Sequence, residues 1–189
     1  MKIFNLQKIK TILYIMSPLF LLLGVGLLIP IIFAVIYNEP HIYYQSFYIP
    51  SIFSFVLGII FSLLKSDNVD LTLTNSMLIV GLSWIFVSLI GGLPFMIGLD
   101  KSLVDSFFES VSGFTTTGIT VFQGLNSMPH SILIWRSLIQ WFGGLGILTF
   151  FLFITFRSEG DLWKLFTAES HKIDTSRPVP NIFRSIKIL

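Results

Sequence analysis

Thr115-Thr116-Thr117-Gly118-Ile119-Thr120 is a polar hexapeptide lying between two long apolar runs. It follows a short stretch, Asp105 to Phe114, of pore-helix character, and precedes a loop rich in Gly, Asn and Pro. Lipid cannot satisfy free backbone donors and acceptors. Non-helical backbone at membrane depth therefore survives only when it is buried in protein or lines a watery path. A Thr-Thr-Gly-Ile-Thr run in that setting can turn successive carbonyl oxygens toward one axis, and rings of such carbonyls replace an ion's water shell in potassium pores. The stretch reads first as part of a cation pathway.

The rest of the composition supplies the membrane. Of 189 residues 53% are apolar, only 12% are charged, and 20 are Phe; the mean hydropathy is +0.84. A soluble domain of this size could not hide so much apolar surface, so the class is integral membrane protein. A span needs about 20 apolar residues, at about 1.5 Å per residue across a core of about 30 Å. Four segments qualify: Ile12 to Tyr37, Phe47 to Leu64, Ser76 to Gly98 and Ile132 to Phe156. The first is too long for a signal-peptide core and is expected to stay in the membrane.

Basic residues orient the spans. Lys2, Lys8 and Lys10 precede the first, Lys65 follows the second, and Arg157, Lys164, Lys172, Arg177, Arg184 and Lys187 follow the fourth. The connection Asn38–Ser46 has none, and the segment before the fourth span has only Lys101. The positive-inside rule puts both termini in the cytoplasm of a plasma membrane, so the hexapeptide enters from outside. The net charge of +2 follows from this bias and gives no argument for nucleic acid. Without cysteine, disulfides and thiolate chemistry are excluded.

The expected fold class is all-α integral membrane. Residues 1–66 form an amino-terminal transmembrane hairpin, 67–157 a span–re-entrant pore loop–span unit, and 158–189 a cytoplasmic linker with a helix start at Asn181. Pro18 and Pro30 can kink the first span, and Leu93-Pro94-Phe95 can bend the third, because each proline removes a backbone donor. Asp100, Ser102 and Asp105 offer oxygens and negative charge to the start of the short helix, which runs past Phe107, Phe108 and Val111 to Gly113. Its partial negative C-terminus then points at the hexapeptide and favours a cation there. No second copy of the hexapeptide occurs.

The run Phe108-Glu109-Ser110-Val111-Ser112-Gly113-Phe114-Thr115-Thr116-Thr117-Gly118 resembles the first pore loop of the Trk/Ktr/HKT potassium transporter superfamily, in its TrkH-like branch. Gly92-Leu93-Pro94-Phe95 before it, and Pro129-His130 with Trp135-Arg136-Ser137-Leu138-Ile139-Gln140-Trp141-Phe142-Gly143-Gly144-Leu145-Gly146 after it, agree in order. The resemblance implies four linked span–loop–span repeats around one pore, of which this chain holds one behind the extra amino-terminal hairpin. The chain then reads as the amino-terminal part of a transporter whose remaining repeats lie elsewhere. It also implies dimers, a cytoplasmic nucleotide-binding regulatory subunit of the TrkA or KtrA kind, and potassium as substrate without an organic cofactor.

By analogy with potassium channel filters, the carbonyls of Thr116, Thr117, Gly118 and Ile119 are the expected ligands, with the Thr116 and Thr120 hydroxyls as additions. Potassium is expected at Thr116 and Thr117. Gly118 can take positive φ to aim its neighbours' carbonyls. A channel filter has a second glycine where Thr120 stands, which leaves potassium-over-sodium selectivity open. Gly113 and Thr115 support the loop, and Glu109 is either a cation-attracting group or a structural partner of backbone donors. Arg136 is expected to hold the short helix through Asp105 or Glu109. Gly143, Gly144 and Gly146, beside Gln140 and Thr149, serve close helix packing or an inner-pathway bend. His41, His130 and His171 are too scattered for a shared metal site, and Trp84, Trp135 and Trp141 read as lipid-facing, packing or interfacial. A self-assembling homotetrameric channel and a non-conducting membrane interaction subunit remain as alternatives; no enzyme constellation converges anywhere.

Overall fold

The computed structural model describes residues 6–64 and 73–157, with side chains from 9 to 64 and from 77 to 146. The described residues form α1 (Leu6–Ile36), α2 (His41–Ser62), α3 (Leu73–Leu99), α4 (Leu103–Phe114), a 3-10 turn (Leu125–Ser127) and α5 (His130–Arg157), with no strand among them. Residues 1–144 make one compact unit and 145–189 a second; the packing that follows is that of the first. The polar link at 65–70, His171 and the stretch from 158 onward, with the helix start at Asn181, lie outside the described residues.

Three described segments are long and apolar enough to cross a membrane: Ile9–Ile36, His41–Ser62 and Met77–Leu99. The fourth expected span falls within α5, whose side chains are described only to residue 146. Pro18 and Pro30 sit inside an unbroken α1, as Pro50 does in α2 and Pro94 in α3. The second span, short as an apolar run from Phe47, begins earlier, at His41. Asn38 takes a left-handed φ of 50° and closes α1, with Asn38 N–H donating to Val35 O at 3.2 Å and Glu39 N–H to Ala34 O at 2.9 Å. This is the Schellman pattern, with Asn in the position usually given to glycine. Pro40, at φ −54°, then feeds the next helix directly.

Serines weld the hairpin. Ser51 Oγ donates to Gly24 O at 2.8 Å, Ser54 Oγ to Phe20 O at 2.7 Å and the Tyr44 hydroxyl to Ala34 O at 3.1 Å. With no apolar driving force between helices in lipid, close approach and such bonds carry the association. Gly58 serves the approach: a Cβ there would sit 2.7 Å from Leu21 Cδ2. The shared core joins Phe20, Leu27, Phe47, Phe95, Ile132 and Trp135, while Leu22, Val25, Ile32, Ile52, Phe53 and Val56 stay exposed on the outer faces. Apolar side chains on an outer surface are what a lipid solvent permits and water would penalise.

The hairpin is clasped to the start of α5. The buried Glu39 carboxylate accepts from Ser131 N–H at 3.2 Å and from the Ser131 hydroxyl, and lies 3.8 Å from His130 Nδ1. The Tyr37 ring stacks on His130 at 3.7 Å. A carboxylate facing the free amides of a helix N-terminus is favourable on hydrogen-bonding and dipole grounds. Glu39→Ala is therefore expected to cost about 1–2 kcal/mol, read as a lower unfolding midpoint of the detergent-solubilised protein; an unaltered midpoint would discard the clasp.

Candidate functional site

Only three residues separate α3 from α4, so α4 starts at the face where α3 ends. Ser102 caps it: its Oγ accepts from Asp105 N–H at 3.0 Å and donates to Asp105 Oδ2 at 2.8 Å. The helix then returns alongside α3. Gly92 makes room for it, since a Cβ there would meet Ser106 O at 2.8 Å, and a Cβ on Gly91 would meet the Phe114 ring at 2.6 Å. Gly91 lies about 12 Å inside the end of α3, and Gly143, which abuts Phe114 O, about 20 Å inside the start of α5, at about 1.5 Å per residue. The end of α4 is thus sunk well below both outer helix ends, and Thr115 onward continues from that depth.

There the helix ends in a second Schellman motif. Thr116 N–H donates to Gly113 O at 2.9 Å and Thr117 N–H to Ser112 O at 3.0 Å, while Thr116 takes φ +56°. A β-branched residue in the left-handed region is an outlier that costs about 1–3 kcal/mol and persists only where its surroundings over-determine it. Gly118 follows at φ +76°, and Thr117 and Ile119 between and after them have ordinary φ. In extended chain successive carbonyls face opposite sides; alternating the sign of φ undoes that reversal and brings consecutive peptide groups round to one side. The oxygens of Thr116, Thr117 and Gly118 accept no hydrogen bond from the described residues, and Thr115–Ile119 are exposed.

The back of the segment is, by contrast, tied down. Ser112 Oγ donates to Ile119 O at 2.5 Å, and Ser112 O also receives Gly118 N–H at 3.4 Å. Thr115 Oγ1 donates to Val111 O at 2.8 Å and lies 2.7 Å from Thr117 Oγ1. Glu109, 3% exposed, is the centre of the restraint. One of its oxygens accepts from Thr120 Oγ1 at 2.9 Å and Val121 N–H at 3.2 Å, the other from Arg136 Nε at 2.8 Å and Nη2 at 2.5 Å. Four donors on one buried carboxylate leave no oxygen unsatisfied, the condition on which such a group is tolerated. Of the two partners weighed for Arg136, Glu109 takes it and Asp105 stays with the helix cap. The Thr120 hydroxyl, expected as an added ion ligand, spends its proton on Glu109 and accepts from Phe122 N–H at 3.1 Å.

The glycines divide. A Cβ on Gly143 would stand 2.1 Å from Phe114 O and one on Gly113 2.4 Å from Ile139 Cδ1, so both are close-packing positions. A Cβ on Gly144 would only graze Thr116 Cγ2 at 3.9 Å, and Gly146 is exposed. Trp135 is fully buried with its Nε1–H donating to Gly91 O at 2.8 Å, whereas Trp141 is exposed. Ser112, Glu39 and the Trp135 bond have no distinguishing signal in the sequence, where serines occur in every helix and Trp135 is one of four tryptophans. No group of three or more potential metal-ligating side chains occurs among the described residues.

A loop between α3, which is long and apolar enough to span, and α5, held from behind and open in front, places the chain among all-α integral membrane proteins with a helix–loop–helix unit. The family model described as "TrkH: Cation transport protein" matches residues 44–176, and the chain belongs to that family. It is 34% identical over 184 residues, 97% of this chain and 38% of the relative, to an uncharacterized cation transporter of Methanocaldococcus jannaschii. It is 44% identical over 86 residues to the Trk system potassium uptake protein TrkH of Escherichia coli, 44% of this chain and 18% of that protein. The crystal structure of the potassium transporter TrkH from Vibrio parahaemolyticus matches with a TM-score of 0.72 at 28% identity, over 95% of this chain and 36% of that one. The chain spans less than two fifths of the length of these relatives.

Two sets of substitutions probe the scaffold. Arg136→Gln leaves Glu109 buried and half-paired, and is expected to destabilise by about 3 kcal/mol, much of it recovered in the double variant with Glu109→Gln; a thermal double-mutant cycle measures the coupling. Gly143→Ala should sharply lower the yield of folded protein while Gly144→Ala leaves it near normal, by size-exclusion profile.

Proposed function

We propose that this chain supplies one wall of a potassium-selective uptake path, with carbonyls of the dipping segment replacing the ion's water. The observation that carries the reading is the alternation of handedness at Thr116 and Gly118, deep beside α3 and α5, in front of three unbonded carbonyl oxygens. The ion ligands are then the carbonyls of Thr116, Thr117 and Gly118 with the Thr116 hydroxyl, while Ile119 O, expected as a fourth, takes the Ser112 hydroxyl and Thr120 ties the loop instead of adding an oxygen. The partial negative end of α4 lies directly at the segment and favours a cation. Glu109 faces inward to Arg136 and the loop amides, so its part is to hold the loop.

One unit surrounds an ion on one side only. The reading therefore requires further span–loop–span units to complete the ring, as the resemblance to the Trk/Ktr/HKT superfamily suggests, together with dimerisation and a TrkA- or KtrA-like regulatory subunit. No bond is made or broken. With both termini cytoplasmic, an inside-negative potential draws each cation inward by about 2.3 kcal/mol per 100 mV.

Expressed with further units of the kind its relatives carry, the chain should restore potassium-limited growth of an uptake-deficient host. Gly118→Asp should abolish that growth, since any Cβ at φ +76° is strained. Growth that survives this substitution would defeat the reading.

A further inference from the structure

Behind the dipping segment lies a cavity of about 80 Å³, bordered by Glu109, Ser112, Gly118, Ile119, Arg136 and Gln140. We propose that this cavity is a water site, and that Gln140 is a positioning residue which, through that water, fixes the backbone of Gly118 and Ile119 and thereby sets cation discrimination. The inference rests on the uptake reading above and deepens it.

Three features of the walls lead there. The volume is several times the ~10–15 Å³ that one water needs, and the walls supply the two to four polar partners each water requires. Donors come from the Gln140 amide and from the edge of Arg136 not spent on Glu109. Acceptors come from Ile119 O, which takes a single bond from Ser112, and from Ser137 Oγ, which donates only to Leu133 O. The Gln140 side chain makes no hydrogen bond among the described residues, yet its Nε2 would lie 3.7 Å from a Cβ on Gly118. Its amide therefore stands over the Cβ side of Gly118 without bonding that backbone directly, the setting in which a bridging water is to be looked for. The Thr115–Thr117 half of the segment is held directly by the end of α4, and Thr120 by Glu109. The backbone of Gly118 and Ile119 has only Ser112 behind it, through a weak 3.4 Å contact from Gly118 N–H and a hydroxyl on Ile119 O, and the Gly118–Ile119 peptide between them makes no hydrogen bond among the described residues. A peptide so lightly held can rotate, and water anchored on Gln140 is what resists rotation.

A bridge of this kind tolerates a shortened side chain but not an apolar one. The transporter carrying this chain, in wild-type form and as Gln140→Met, Gln140→Asn and Ser137→Ala, is reconstituted into liposomes, and rubidium uptake is competed with potassium and with sodium. The expected result is a loss of potassium-over-sodium preference of about fivefold in Gln140→Met, the order of one lost hydrogen bond, with near-wild-type preference in Gln140→Asn. Ser137→Ala, which removes one wall acceptor, should fall between. Equal preference in wild type and Gln140→Met overturns the inference while leaving the uptake reading intact. Equal losses in Met and Asn overturn the water bridge. Absence of any cation flux through the well-folded wild type overturns both, and a uniform fall in uptake with unchanged ion preference assigns Gln140 a packing role and overturns it too.

Discussion

Every peptide group carried below the ends of the outer helices has to be accounted for, and that constraint organises this molecule around the end of α4. Where an α-helix stops inside an apolar cluster, its last carbonyls and the amides beyond them need partners that lipid cannot give. Here the amides are absorbed by the helix itself: Thr115, Thr116, Thr117 and Gly118 all donate back to Val111, Gly113 or Ser112. The carbonyls of the same residues are left over. A segment whose donors are all spent inward and whose acceptors all remain is electronegative on its open side, and the aligned dipoles of α4 add to it. The proposed function draws on that bookkeeping before any ion is considered.

The positive φ at Thr116 belongs to the same logic. A glycine would end the helix there at lower cost. Threonine keeps a hydroxyl at the mouth of the segment and stiffens it, and the strain is held by packing: Gly143 lets α5 press directly on Phe114 O, and Phe114 is wedged against Gly91. The ion pair works one layer further back. Glu109 collects the far end of the loop, Thr120 and Val121, onto the same carboxylate that Arg136 holds, so the two ends of the dipping segment are referred to one helix and one side chain of α5. Removing the charge partner would release the loop as well as a buried anion.

How far the sequence announces this depends on range. The spans, the helix start at Ser102 and the left-handed Gly118 are written in hydropathy and in residues with single-purpose backbones, and each is legible locally. The pairing of Arg136 with Glu109 is legible as one of two options, because two acids lie within reach on α4 and only the Ser102 cap decides which is already engaged. The early start of α2 is legible only as one option for a run that is short for a span, because Tyr43, Tyr44 and Gln45 dilute the hydropathy that marks it, while Asn38 and Pro40 turn the chain at once. Glu39 at Ser131, across 92 residues of sequence, and Ser112 behind Ile119 are set by tertiary contact alone. Thr116 is the instructive miss: propensity argues against a left-handed threonine, and the packing of three helices overrules it.

The character of the exposed surface separates lipid from water. On α1 and α2 the outward residues are Leu22, Val25, Leu28, Ile32, Val35, Ile52, Phe53 and Val56, with scarcely a polar atom among their side chains. At the end of α4 the outward residues are three threonines, a glycine and Ile119, with the unbonded carbonyls of Thr116, Thr117 and Gly118 among them. Both surfaces lie at the depth of spanning helices, and a bilayer could solvate only the first. Unbonded carbonyls facing hydrocarbon would cost several kcal/mol apiece, so the second surface has to face water, an ion or more protein. Under the proposed function it faces all three in turn: the ring completed by further units, the ion within it, and the water the ion leaves at either end.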